Sequence, residues 1–137
     1  RKGPKRTVGG MDSGRVALLL AVMEKRAGKK LFDQDVYINV AGGLALNDPA
    51  ADLAVCVAVA SSLAGFALPP TLSVMGEVGL CGEVRPVAQA QRRVDECVRL
   101  GFTDIVLPKQ NLRRLDVPQG VHLTGVDTLM QALAVVN

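Results

Sequence analysis

Asn47-Asp48-Pro49-Ala50-Ala51-Asp52-Leu53-Ala54-Val55-Cys56-Val57-Ala58-Val59-Ala60-Ser61-Ser62-Leu63-Ala64-Gly65 is the stretch whose reading decides the fold class. Asp48 is a capping residue, Pro49 suits the first helical position, and Gly65 is a stop, so the spacing predicts a helix over 50–64. Its side chains are small and apolar almost all round, which suits close packing in the centre of a domain. Such a helix needs cover on several sides. The flanking sequence offers both strands and helices for it.

Toward the N-terminus, residues 36–40 alternate as a strand, and Gly42-Gly43 marks a break before Leu44-Ala45-Leu46. Asp12 or Ser13 caps a Leu-rich helix that runs to Arg26 and stops at Gly28. Lys25, Arg26, Lys29 and Lys30 at its end suit the negative pole of the helix dipole. Residues 1–10, basic and glycine-rich without periodicity, read as a lead-in and not as a fold element.

Toward the C-terminus, residues 72–78 and 82–87 read as two strands joined through Gly79-Leu80-Cys81. A helix follows, with Val87, Ala90, Val94, Cys97 and Val98 on one face and Arg92, Arg93, Asp95, Glu96 and Arg99 on or beside the other. Gly101 ends it. Residues 103–108 form a buried strand, Asn111 begins a turn, residues 121–126 form a last strand, and Asp127 or Thr128 caps a closing helix. Interleaved helices and strands predict an α+β domain, a mixed sheet packed with three to four helices.

The composition narrows the function. With 137 residues, 49% hydrophobic, the chain is long enough for one domain with a real core and too apolar for disorder. No apolar run is long enough to span a membrane, and the basic start, without an apolar h-region behind it, is not expected to be a signal peptide. Three cysteines without metal-ligand spacing, and a single His122, argue for reduced thiols in the cytoplasm and against a structural metal. A net charge of +3 permits nucleic-acid binding without demanding it.

Catalytic chemistry is thin. Gly76-Glu77-Val78-Gly79 and Gly79-Leu80-Cys81-Gly82 are too short for a dinucleotide fingerprint, and no Walker loop exists. Ser13 reads as a cap, Ser73 as a strand residue, and Ser61 and Ser62 as helix-end hydroxyls bonded to carbonyls. Cys56 and Cys97 read as core. Cys81, in a glycine-flanked turn, has only the distant His122 as a base.

Several of these blocks together resemble a known family. Asp35-Val36-Tyr37-Ile38-Asn39-Val40-Ala41-Gly42-Gly43, Asp48-Pro49-Ala50-Ala51-Asp52-Leu53-Ala54 and Gly76-Glu77-Val78-Gly79-Leu80-Cys81-Gly82-Glu83-Val84-Arg85-Pro86-Val87 are similar to the C-terminal Lon-protease-like domain of the bacterial RadA (Sms) DNA-repair family. So are Arg6–Arg15, and Leu100-Gly101-Phe102 with Val106-Leu107-Pro108-Lys109-Gln110-Asn111. The likeness runs from about residue 6 to the end, in order, and implies the Lon protease-like (ribosomal protein domain 2-like) fold over 11–137. Lon proteases use a serine at the start of the central helix and a lysine one helix later. Those positions correspond here to Ala50 and Gln91, and Asp52 stands where the protease motif has glycine. The resemblance therefore implies a degenerate dyad and a scaffold without peptidase activity.

It also implies a parent protein. Such parents are hexameric motor ATPases that process branched DNA in recombinational repair, with ATP, magnesium and zinc held in parts other than this domain. Arg1–Arg6 would be the junction after the motor. The implied partners are further copies of the chain in a ring, single-stranded or branched DNA, and the recombinase RecA, with no membrane.

Lys5, Arg6, Arg15, Arg85, Arg92 and Arg93 are the candidate DNA contacts, toward phosphates only. Against this, the arginines of the third helix read as a solvated face balanced by Asp95 and Glu96. Stacking platforms are not expected, because Phe32, Tyr37, Phe66 and Phe102 mostly fall at core-like positions. The alternatives are a protein-interaction module without DNA contact, or a cryptic peptidase, which Ala50 and Gln91 oppose.

Overall fold

The computed structural model describes residues 3–39 and 47–137. The expected Gly42-Gly43 break, the last residue of the 36–40 strand and the Leu44-Ala45-Leu46 run lie outside them. The first described element is a correction. Arg6–Gly9 forms strand β1, paired in parallel with β2, Val36–Asn39, so the end of the expected lead-in belongs to the fold. Glycine and arginine hid it: the strand is fixed by pairing and by Val8 against the core, not by alternation.

Helix α1, Ser13–Ala27, has Asp12 as its cap and ends at Gly28, whose positive φ of 65° closes the last turn. A 3-10 turn, Pro49–Ala51, capped by Asp48, leads into α2, Asp52–Ala64. The helix expected from Ala50 thus starts with a tighter first turn. Strand β3, Leu72–Val74, then stops short, and Glu77–Val78, β4, pairs instead with Val84–Arg85, β5. Helix α3, Ala90–Arg99, strand β6, Asp104–Pro108, a 3-10 turn at Lys109–Asn111, strand β7, His122–Val126, and helix α4, Leu129–Val136, complete the chain. Thr128 is the cap of α4.

The sheet order β3-β6-β7 is parallel throughout, and among the described residues antiparallel pairing is found in the β4–β5 hairpin and at an isolated Glu83–Thr128 bridge. Parallel and antiparallel pairing therefore coexist in separate small sheets. Alternation along β6 explains the layers. Val106 faces the large core built on α1, α2 and α4, with Leu19, Met23, Leu53, Val57 and Leu129. Ile105 and Leu107 point the other way, into a second cluster with Met75, Val87 and Val94 under α3. The central sheet is covered on both faces, as parallel strands require. No helix among the described residues is long and apolar enough to cross a membrane.

Candidate functional site

The two most informative sequence blocks meet in space. Gly76 N–H donates to the carbonyl of Ala50 (2.8 Å), and Leu53 N–H donates to the carbonyl of Gly76 (3.0 Å). The chain leaving β3 thus satisfies a donor that the first turn of α2 would otherwise leave open. Gly76 has φ 154°, and a Cβ there would stand 2.9 Å from Val84 and 3.3 Å from Leu53. Only glycine fits this close approach.

Ala50, which the sequence likeness sets at the position of the protease nucleophile, is buried in the second cluster with Val87 and Val94. Its N–H donates to Asp48 Oδ1 (3.0 Å), while Arg93 Nη1 on α3 donates to Asp48 Oδ2 (2.7 Å). The Arg93 bond first, and the Ala50 N–H second, hold the Asp48 carboxyl below the usual carboxylate range. Asp48 is at once a cap and the tie from the 3-10 turn to α3.

Gln91, which the sequence likeness sets at the position of the protease lysine, has its amide engaged on both sides. Nε2 donates to the Asp116 carbonyl (2.9 Å) and to Asp95 Oδ1 (2.8 Å), and Oε1 accepts from Asp116 N–H (2.8 Å). An ammonium group has no acceptor and could make only the donor half of this clasp. Nearby, Asn111 grips the backbone of Val87 in the same two-way manner. Together these amides pin the 111–117 segment against α3 and its entrance.

Sequence reasoning missed the chain's buried ionic knot. Asp52 is 1% exposed, the only buried charged residue among those described. Arg15 Nε donates to Asp52 Oδ1 (3.1 Å), Arg15 Nη2 to Asp52 Oδ2, and Val78 N–H to the same Oδ2 (3.1 Å). Glu77 lies 4.0 Å from Arg15. The bond to Asp52 keeps the Arg15 guanidinium charged, above its ordinary pKa. The only signal in the sequence was an aspartate where the protease motif has glycine.

The arginines among the six expected DNA contacts all have partners within the chain. Arg15 is committed to Asp52, Arg93 to Asp48, and Arg85 to Glu83 (3.1 Å). Arg6 donates to the carbonyls of Gln34 and Leu31, and Lys5 N–H donates to Asp35. Arg92 is exposed and donates to Gln89. The expected Asp95–Glu96 balance holds in part: Glu96 pairs with Arg99, whereas Asp95 accepts from Gln91.

A second correction concerns the aromatics. Phe32 and Tyr37 are 65% and 66% exposed, not core, while Phe66 and Phe102 are half-buried. Of the remaining candidates, Ser13 is not the cap of α1, which is Asp12, and Cys97 is half-buried instead of core. Ser61 donates to the Phe66 carbonyl, Cys81 and His122 are exposed, and Cys56 is buried, its thiol pushed up to about 12 by desolvation. Among the described residues no three His, Cys, Asp or Glu side chains gather as a metal site. A mostly aliphatic groove of about 790 Å³ lies between β2 and α2, lined by Tyr37, Ile38, Val55, Val59 and Leu63 among others.

Comparison with known proteins agrees with this architecture. The family described as the Lon protease (S16) C-terminal proteolytic domain matches residues 15–134. DNA repair protein RadA of Streptococcus pyogenes serotype M6 is 46% identical over 132 residues, 96% of this chain and 29% of that protein. The RadA proteins of Halalkalibacterium halodurans and Bacillus subtilis are each 44% identical, over 96% and 95% of this chain and 29% and 28% of their own lengths. The chain thus spans less than a third of the relatives it matches. With that match spanning α1 to α4, and with α2 and the Gly76 segment joined as described, the chain belongs to the Lon protease (S16) C-terminal domain family.

Proposed function

We propose that this domain serves a RadA-like DNA-repair ATPase as a non-proteolytic assembly and DNA-docking part, working as a ring of copies in the cytoplasm. The observation that carries the reading is the use made of Ala50 and Gln91. One is a packing residue, the other a clasp on the Asp116 backbone, and no amine stands at the second position to activate a nucleophile. The relatives named RadA are DNA-repair proteins, which supports the assignment to repair. Motor activity, ATP, magnesium and zinc would reside in other parts of the parent, and RecA would be met there or on the ring.

Fluorescence anisotropy of labelled forked DNA against rising salt tests the docking. We expect weak binding that falls with salt, since phosphate contact releases counterions. The absence of any binding at low salt, with casein cleaved, would replace this reading with a peptidase. A protein-interaction module without DNA contact is favoured by the acids that already occupy Arg15, Arg85 and Arg93. It predicts an intact partner complex and no DNA shift.

A further inference from the structure

The charge of the chain is unevenly placed. Residues 1–30 carry nine Lys/Arg against two Asp/Glu, whereas the rest carries seven against eleven. The net positive charge therefore sits in the N-terminal part of the sequence, which does not include the arginines of α3. Among the described residues, Lys25, Arg26, Lys29 and Lys30 make no ion pair, in contrast to Arg15, Arg85, Arg93 and Arg99. The helix dipole explains cations in the last turn of α1, but Lys29 and Lys30 lie beyond it.

Phe32 follows directly. Its exposure is built in, because the turn that carries it is anchored. Leu31 is 1% exposed in the main core, Gln34 N–H closes on the Leu31 carbonyl (3.1 Å), and the Arg6 guanidinium bridges the Leu31 and Gln34 carbonyls. A phenyl ring is thus held outward on a braced turn next to unpaired cations. Tyr37, also exposed, follows on β2. Unpaired cations with an outward aromatic ring are what a single strand needs: charge for its phosphates and a π-face for a base.

We propose that the turn at Phe32, with Lys29 and Lys30, is a stacking site for single-stranded DNA. This rests on the DNA-docking reading and assigns it to residues other than the arginines of α3. Asp33 is the acid that opposes it, so its removal should strengthen binding.

The chain contains no tryptophan. In the Phe32→Trp variant the only indole therefore sits at the site, and a stacked base quenches it. We expect saturating oligothymidine to quench that emission. Phe32→Ala should weaken oligothymidine binding about tenfold, in the range of one lost base stack, and leave duplex binding unchanged. Lys29→Glu with Lys30→Glu should weaken both and flatten the salt dependence. Asp33→Asn should tighten both. Because Phe32 is exposed, its variants should keep the circular dichroism of the parent. Unquenched emission at saturation, or full affinity in Phe32→Ala, overturns the stacking site while the docking reading stands. Absence of binding to either form of DNA at low salt overturns both.

Discussion

The guanidinium of Arg15 closes on the carboxylate of Asp52, two residues 37 positions apart that join the first turn of α1 to the first turn of α2. Asp52 is buried, and its carboxylate oxygens are satisfied by Arg15 and by the Val78 N–H. Arg15→Met should leave a buried charge unpaired and cost about 3 kcal/mol, the lower end for such a break because Arg15 is partly solvated. Adding Asp52→Leu should restore part of that loss. Urea midpoints of the two single variants and the double give the coupling; strict additivity would mean that the pair is not a unit.

The two-way bonding of Gln91 shows why a lysine at this position would not fit unchanged. Gln91→Lys removes the acceptor for Asp116 N–H, and should lower stability by about 1 kcal/mol. The effect should be local. Amide exchange at Asp116 should quicken, while protection of β6 and β7 stays as in the parent. Equal protection at Asp116 in both proteins would show that the clasp is not maintained in solution.

The Gly76 junction makes a sharper distinction between two glycines of one motif. At Gly76 a Cβ meets packed Val84 and Leu53 in a backbone conformation that side chains avoid. At Gly79 it meets the end of the flexible Glu83 side chain, which can move at the cost of its bond to Cys81 N–H. Gly76→Ala should therefore cost about 2 to 3 kcal/mol and Gly79→Ala about 1. Thermal midpoints in the reverse order would refute the assignment of strain to Gly76.

Much of the architecture was legible because it is written in local signals. Asp12, Gly28, Asp48-Pro49, Gly65 and Thr128 act on their own neighbours, and each marks the end that the structure shows. What was illegible depends on contacts between distant segments. Residues 72–78 read as one strand, yet Gly76 leaves the sheet to meet Ala50, and Glu77–Val78 pairs elsewhere. Arg6–Gly9 becomes a strand only through β2. The exposure of Phe32 follows from Leu31 taking the core position beside it, a choice that the order Leu-Phe does not announce. At Ala50 and Gln91 the sequence showed only the residue types; the fold showed Gln91 turned to Asp116.

The Asp48–Arg93 pair sets an expected pH dependence. The Asp48 carboxyl is held below its ordinary value, first by the Arg93 bond and then by the Ala50 N–H. A lowered pKa in the folded state means that the charged form is favoured by folding. Its contribution is therefore complete above the unfolded value of about 3.9 and is lost as pH falls through the lower folded value. Both side chains are partly solvated, so screening keeps the contribution below about 1 kcal/mol. Asp48→Asn retains a capping oxygen but no charge for Arg93. At neutral pH it should be slightly less stable than the parent, and the two should converge as pH falls from about 5 to 3. Urea midpoints across that interval measure the gap. A gap that stays constant would place the cost in the cap and remove Arg93 from the account.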